Sequence, residues 1–386
     1  MKKLIIFLNL FIVFQSFGQK LEYASPETLQ MNTDQFRYAD EAIRQAIENG
    51  DIPGAVLTVV YQNKIVYNKA FGNKQIYPTK VAMEVNSVFD LASLTKPIST
   101  ATSIFILIER GKICLTDKVS RHIPDFSDDI RIIDLLTHTS GLPAYPPVDS
   151  LRKELDENPK VLIDYLANCK RKFKPKTGFQ YSCLNYVVLQ KIIESVSGQN
   201  LRDFAKENIF DILGMENTDY CPSGELLKKT APTERQADKS ILCAIVHDPL
   251  ARILANGISG NAGLFSNTED LAIFSTALLN GGIYDEKRIL SSQSVKIMTS
   301  VPYDIFSYGR TPGWDSHSVY ASNQGDLLSS QTYGHTGYTG TSLVIDPDNK
   351  LAIILLTNRV HPEDKTSVTR LRSVIANIVA ASIPSI

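Results

Sequence analysis

In the stretch FDLASLTKPIST, residues 89–100, a serine hydroxyl and a lysine amine lie three residues apart, Ser93 and Lys96, and Pro97 follows at once. Residues i and i+3 of a helix share a face, so the Lys96 amine can reach the Ser93 oxygen. A hydroxyl so placed becomes a nucleophile when the amine takes its proton. The amine must then be neutral, and burial between two lobes, or a second cation nearby, is expected to push the Lys96 pKa down. The Ser-x-x-Lys pattern by itself says little, because it occurs twice. The second pair, Ser150 and Lys153, follows a proline-rich loop and opens the charged stretch LRKELDEN, which reads as a surface helix capped by Ser150. Ser93 instead precedes ISTATSIFILI, a helix too apolar to be exposed. Pro97 is tolerated only in a first turn, which sets the helix start near Ser93, at the positive end of its dipole. On these residues alone the plain alternative stays open: Ser93 an N-cap and Lys96 a surface lysine.

Two further segments carry chemistry. In GFQYSCLNYVVLQ, Tyr181 and Ser182 sit in a loop after KPKTG and just before a helix. A phenol close to a cation can relay a proton. In YGHTGYTGTSLVIDP, Gly337 and Gly340 flank a strand start and leave room for a ligand against the backbone. His335 and Thr336 add a titratable ring and a hydroxyl on that strand.

The elements that must position these groups are legible from periodicity. TDQFRYADEAIRQAIENG, residues 33–50, predicts an amphipathic helix with Phe36, Ala39, Ala42, Ile43 and Ile47 on its apolar face. GAVLTVVYQNKIVYNKAFG predicts a hairpin turning at Gln62-Asn63-Lys64. Residues 93–300 are helix-rich: STATSIFILIERGKI stops at Gly111 and YVVLQKIIESVSGQ at Gly198. SNTEDLAIFSTALLNGG opens with a capping box, Ser266 to Glu269. After residue 330 the period changes to three short strands, the last two joined by the turn Asp346-Pro347-Asp348-Asn349, and a helix over 363–383 closes the chain. The order predicts an α+β fold: one antiparallel sheet built from both chain ends, flanked by helices, with an inserted, mostly helical lobe at about 93–300. No internal repeat interrupts it.

Composition narrows the function classes. Of 386 residues, 43% are hydrophobic and 21% charged, as for a globular protein with a sizeable core. With 40 basic and 41 acidic residues the formal charge is -1, and no basic run interleaves with aromatics, so nucleic acid is not an expected partner. The N-terminus MKKLIIFLNLFIVFQSFGQK has two lysines, an apolar run from Leu4 to Phe14 and small residues at Ser16 and Gly18, which reads as a signal peptide over residues 1–18. The run is shorter than the about 20 residues that span a bilayer. Cleavage would leave a domain of residues 19–386 with a net charge of -3, since Lys2 and Lys3 are lost from -1. The expected location is the periplasm or the medium, with no membrane span after cleavage and a monomeric state. Five cysteines, an odd number, leave at least one unpaired, and none has zinc-site spacing with another Cys or His.

The ordered set Ser93-Leu94-Thr95-Lys96, Tyr181-Ser182-Cys183 and His335-Thr336-Gly337 resembles the three motifs of the penicillin-recognising serine hydrolases. These comprise class C β-lactamases, D-Ala-D-Ala carboxypeptidases and related esterases. IIDLLTHTSGL, residues 132–142, and GNAGLFSNTEDLAIF, residues 260–274, also look like segments of that family, and the likeness runs from about residue 33 to the end. The resemblance implies a β-lactamase/transpeptidase-like fold in which Ser93 is acylated and Lys96 and Tyr181 share the proton traffic. It implies an oxyanion hole made by the backbone N–H groups of Ser93 and Tyr338, with Cys183, His335, Thr336 and Gly337 contacting the substrate. No metal and no organic cofactor is called for, and the implied substrate is a small molecule or a peptidoglycan peptide.

Two residues depart from the pattern. Cys183 stands where the family usually has Asn, and a thiol cannot replace a carboxamide donor. Asn185 lies two residues on and reads as a helix cap. His335 replaces the more usual lysine; carrying partial charge near neutral pH, it is expected to attract a carboxylate in a pH-dependent way. His138 reads as a turn histidine, His247-Asp248 as a pair at the cleft, Arg310 as a carboxylate anchor, and Trp314 as cleft wall or core. The resulting expectation is an exported serine hydrolase acting on amide or ester bonds through an acyl-enzyme. Its rivals are a small-ester carboxylesterase and a catalytically silent protein that only binds peptidoglycan or β-lactams.

Overall fold

The structure, a computed structural model, describes residues 21–126, 129–158, 160–321 and 323–384. The expected signal peptide at residues 1–18 lies outside the described residues. The elements used below are, in chain order, helix α1 (Asp34–Glu48), strands β1 (Gly54–Tyr61), β2 (Lys64–Gln75) and β3 (Val81–Ala82), helices α2 (Thr102–Glu109), α3 (Cys183–Ser197) and α4 (Thr268–Leu279), strands β4 (Tyr333–Thr336), β5 (Ser342–Asp346) and β6 (Leu351–Thr357), and helix α5 (Thr369–Ala380).

The six strands form one antiparallel sheet in the order β3-β2-β1-β6-β5-β4. The two chain ends meet at its centre, where β1 pairs with β6 in a register that sets Val56 opposite Leu356 and Tyr61 opposite Leu351. Both strands are buried from end to end, because both faces of the sheet are covered. Alternate residues therefore serve different cores. Ala55, Leu57 and Val59 of β1, with Ile353 and Leu355 of β6, pack with Phe36, Ala39 and Ile43 of α1 and Ile375, Ala376 and Val379 of α5. Val56 and Val60, with Ile354 and Leu356, enter the opposite core, which continues without a break into α4, α2 and α3. The β1–β2 hairpin turns on Gln62 and Asn63, both at positive φ (49° and 63°), the backbone that a two-residue hairpin loop requires. The sheet from both chain ends and the inserted helices agree with the expectation. Among the described residues no helix is long and apolar enough to cross a membrane.

Three local expectations are corrected. The N-cap of α4 is Asn267, whose side chain accepts from the Asp270 backbone N–H at 2.9 Å. Ser266 lies in the strand Leu264–Ser266 and its hydroxyl meets Thr218 Oγ1 at 2.6 Å, while Glu269 accepts from the Tyr23 hydroxyl. A one-residue shift in the start moves the cap, because an N-cap side chain bonds the residue three positions on. Ser150 is exposed but sits inside the helix Val148–Glu154, whose N-cap is Pro147. The last helix starts at Thr369 rather than near 363, because the preceding segment is tied down by Arg359, which bonds Asp364 Oδ1 at 2.5 Å and the Thr366 carbonyl at 2.7 Å.

Replacing the true cap should be felt. Asn267→Ala is expected to lower stability by about 1 kcal/mol in urea unfolding, and Asn267→Asp to retain most of it. Equal stability for Asn267→Ala and the wild type would reject the cap.

Candidate active site

The short strand Phe89–Asp90 pairs with Leu264–Ser266, which in turn pairs with Asp219–Tyr220. The chain then bends sharply: Leu91 N–H bonds the Leu264 carbonyl at 2.9 Å, and Ala92 is held at φ 47°, a left-handed conformation that costs a non-glycine residue about 1–2 kcal/mol. Asp90 holds the bend, its Oδ1 accepting from Ala92 N–H at 2.9 Å and its Oδ2 from His247 N–H at 2.7 Å. Ser93 follows in a tight helical turn, and Lys96 opens a wider turn, Lys96–Ala101, that runs into α2. Pro97 lies in the first turn, as expected. The carbonyl of Pro97 accepts from the Thr102 hydroxyl at 2.9 Å, and Thr100 donates to the Gly260 carbonyl at 2.8 Å.

Lys96 is fully buried and is not a surface lysine. Its Nζ donates to Ser93 Oγ and to the Asn261 carbonyl, both at 2.9 Å, and lies 3.7 Å from Cys183 Sγ. The GNAGLF segment supplies that carbonyl because it packs tightly on α3. A Cβ at Gly260 would fall 2.0 Å from the Tyr186 carbonyl oxygen, so only glycine fits.

Tyr181 is placed by the THTSGL segment. Gln180 N–H bonds the His138 carbonyl at 3.1 Å, Ser182 Oγ bonds the Pro143 carbonyl at 2.5 Å, and Cys183 N–H bonds the Ala144 carbonyl at 2.9 Å. His138 accepts at Nδ1 from Ser182 N–H and from Asn185 Nδ2, both at 3.1 Å, which leaves its proton on Nε2. Its ring lies 4.5 Å from that of Tyr181. His138 is thus the turn histidine expected, and it supports the phenol. Asn185 is not a cap; it is the buried third residue of α3 and ties His138 to Ser140, whose hydroxyl it accepts at 2.5 Å.

The third motif lies on β4 and the loop that follows it. Two threonines fasten this loop to the Ser93 turn: Thr339 Oγ1 donates to the Asp90 carbonyl at 2.7 Å and Thr341 Oγ1 to the Leu91 carbonyl at 3.0 Å. Gly337 is caught between them. A Cβ there would stand 2.0 Å from Thr341 Oγ1 and 2.4 Å from the Leu91 oxygen. Arg372 of α5, absent from the sequence reading, clamps the loop by donating Nη2 to the Gly337 and Thr341 carbonyls at 2.8 and 2.9 Å. An arginine on an amphipathic helix gives no sequence signal of this role, because only the fold brings α5 to the loop.

Ser93, Tyr181, His335, Thr336, Gly337 and Tyr338 line one cavity of about 260 Å³, with Arg310, Asp315, Arg359 and Arg372 around them. Cys183 touches the site from behind, through Lys96. His247 and Asp248 do not pair: His247 Nε2 faces Glu234 Oε2 at 3.3 Å, and Asp248 accepts from Tyr145, Ala251 N–H and Asn261 Nδ2. Asp248 thus holds the residue whose carbonyl receives Lys96. Trp314 is fully buried core, against Tyr333.

The electrostatics overturn two expectations. Burial favours a neutral Lys96, but Cys183, Tyr181 and Asp248 outweigh it, and the Lys96 pKa is raised rather than lowered. Lys96 therefore rests as an ammonium ion. Burial likewise pushes the Cys183 thiol up, which leaves it protonated and a poor nucleophile. His335 has its pKa held well below the usual histidine range by burial and by the cations Arg310 and Lys96. It is neutral near pH 7, so it does not offer the pH-dependent charge expected of it. Its Nδ1–H donates to the Thr336 carbonyl at 2.9 Å and its buried Nε2 has no partner among the described residues.

A histidine that stays neutral when folded destabilises the fold in acid. Above about pH 6.5 neither state binds the proton; below it the unfolded chain does and the folded chain does not, so stability falls by up to about 1.4 kcal/mol per pH unit. His335→Gln should remove that share. The stability difference between variant and wild type, from urea unfolding at pH 7.5, 6.5 and 5.5, is expected to move in favour of the variant on acidification. A pH-independent difference would mean that His335 titrates freely.

Comparison with known proteins agrees with this geometry. The Beta-lactamase family model matches residues 39–377. A protein of Escherichia coli (strain K12) named "Putative D-alanyl-D-alanine carboxypeptidase" is 32% identical over 400 residues, covering 94% of this chain and 92% of that one. Among solved structures, EstCE1, a hydrolase with promiscuous acyltransferase activity, superposes with a TM-score of 0.70 at 22% identity, covering 90% of this chain and 98% of its own. The octameric penicillin-binding protein homologue from Pyrococcus abyssi gives a TM-score of 0.66 at 22% identity, covering 84% and 73%. At such identities the last two establish a shared fold.

Proposed function

The chain belongs to the Beta-lactamase family, and from that premise we propose that it is an exported serine hydrolase that works through an acyl-enzyme at Ser93. The observation that carries the proposal is the 2.9 Å contact between Lys96 Nζ and Ser93 Oγ at the edge of the cavity. A buried ammonium beside a hydroxyl favours its alkoxide, the charged form that attacks a carbonyl. With Lys96 already protonated, Tyr181, which lines the same cavity, relays the proton: its oxygen takes the Ser93 hydrogen as its own phenolic hydrogen passes to the leaving group. The backbone N–H groups of Ser93 and Tyr338 receive the oxyanion, in a position maintained by the Thr339 and Thr341 bonds. Such preorganised donors are worth about 3–4 kcal/mol each. Water then releases the acyl group.

The substrate class we infer is an amide or ester next to a D-amino acid, a reading supported by a relative named as a D-alanyl-D-alanine carboxypeptidase. A second reading, hydrolysis of small esters, is favoured by Cys183. Its thiol offers an amide substrate no carboxamide donor. A silent binding protein fits less well, since binding alone has no use for a buried Lys96 held on Ser93. Export rests on residues 1–18.

A fluorophosphonate or a labelled β-lactam is expected to mark the protein covalently, and Ser93→Ala to abolish the mark. Reversible binding unchanged in Ser93→Ala would establish the binder instead. Tyr181→Phe removes one oxygen and is expected to slow acylation by about 10²- to 10⁴-fold in stopped-flow labelling. A rate near wild type would reject Tyr181 as the proton carrier.

A further inference from the structure

We propose that a second cavity, bounded by the segment that leads to Tyr181, binds an α-amino acid through both of its charges and prefers one with an apolar side chain. The inference goes beyond the acyl-transfer reading of Ser93 and does not depend on it.

The cavity lies between the helix Ile132–Leu136, with the residues just before it, and the segment 171–176. Its volume is about 740 Å³, nearly three times that of the Ser93 cavity, and the two have no lining residue in common. Its frame also helps to place Tyr181. Lys172 N–H bonds the Gly141 carbonyl at 2.7 Å and Lys176 N–H the Thr139 carbonyl at 2.8 Å, and the same pair of segments continues to Gln180 and His138. Ile130, Phe173 and Pro175 give the cavity apolar walls.

Asp134 is 1% exposed and lines this cavity. Its Oδ2 accepts from the Arg131 N–H at 2.8 Å and caps the helix. Its Oδ1 is buried and has no partner among the described residues. Burial pushes the Asp134 carboxyl up, as it does an anion short of donors. A buried oxygen left unpaired is costly, and a donor on a ligand removes that cost.

Most other charges around the cavity are matched. Lys176 is held by Asp304 at 2.6 Å, and Asp129 by Lys118 at 2.5 Å. Arg171 gives Nη1 to the Cys169 carbonyl at 2.7 Å and Nη2 to the Ala167 carbonyl at 3.1 Å. The Arg131 guanidinium bonds the Thr116 carbonyl at 3.3 Å and no carboxylate. Lys174 is exposed, and its ammonium has no partner among the described residues. A bare cation would be repelled by Arg131 and Lys174. A simple anion would meet the charge of Asp134 and leave Oδ1 unpaired. A zwitterion answers both, with its ammonium on Asp134 Oδ1 and its carboxylate toward Lys174 and Arg131. An α-amino acid carries the two charges on one carbon, and its side chain can lie on Phe173, Ile130 and Pro175.

Calorimetric titration of the purified protein tests this. D- or L-phenylalanine is expected to bind with a Kd of about 0.1–10 mM. Phenethylamine lacks the carboxylate, N-acetylphenylalanine lacks the ammonium, and glycine lacks the side chain. Each should bind at least about tenfold more weakly. Asp134→Asn keeps an oxygen for the cap but removes the charge, and should weaken phenylalanine binding by about 10- to 100-fold. Lys174→Ala, at an exposed position, should weaken it by about two- to fivefold. Where Asp134→Asn loses its fold by circular dichroism, Lys174→Ala and the three analogues decide. No binding of either enantiomer tighter than about 10 mM overturns the proposal. So does an analogue that binds as tightly as phenylalanine, inorganic phosphate that binds more tightly, or an affinity for phenylalanine unchanged in either folded variant. All of these outcomes leave Ser93 labelling by a fluorophosphonate as it was, and absence of that labelling leaves this site standing.

Discussion

A cation buried in protein must find oxygens to replace the water it has lost, and Lys96 finds them on two distant segments. One is the hydroxyl of Ser93, three residues back; the other is the carbonyl of Asn261, 165 residues on. Unpaired burial of such a charge would cost several kcal/mol, so the amine cannot be satisfied unless the 89–96 turn and the 260–265 segment lie together. Much of the surrounding packing serves that meeting. Gly260 lets the segment lie against α3, and Asp248 holds the Asn261 side chain. The same α3 begins at Cys183, so fixing Lys96 also fixes the end of the loop that carries Tyr181.

The third motif reaches this centre by a different route. Its strand lies at the far edge of a sheet whose halves come from opposite chain ends and join at β1 and β6. That joint places β4 beside the Ser93 turn, and the final adjustment is made by side chains of modest size. Thr339 and Thr341 draw the loop onto the carbonyls of Asp90 and Leu91, with Arg372 behind it. The strain of Ala92 at positive φ is held by bonds on both sides, which is where a strained backbone can persist. The backbone of the candidate site is therefore a product of the two cores that hold the sheet, as much as of the motif residues.

Charge in the cavity is distributed by burial. The Lys96 pKa is raised by its neighbours, burial holds that of His335 down and pushes that of the Cys183 thiol up, and Arg310 is paired with Asp315 through Nη1. The third-motif histidine thus contributes shape and a lone pair rather than a charge.

Periodicity and motif order by themselves determined a large part of this protein. The period-2 runs at both ends and the period-3.6 run at residues 33–50 predicted the sheet and α1 because those repeats report which side chains share a face. The spacing of Ser93 and Lys96, and the order of the Tyr181 and His335 segments, pointed to the candidate site because neighbours on a turn meet whatever the fold. Packing decided the rest. Ser266 against Asn267 as the cap of α4, Asn185 as a helix cap or a buried tie to His138, and Trp314 as wall or core turn on a residue's exact place. Neither Arg372 nor Asp248 has a local pattern that announces its partner. The direction of the Lys96 shift and the neutrality of His335 were beyond sequence altogether, since a pKa depends on which charges stand nearby in space and how much water remains between them.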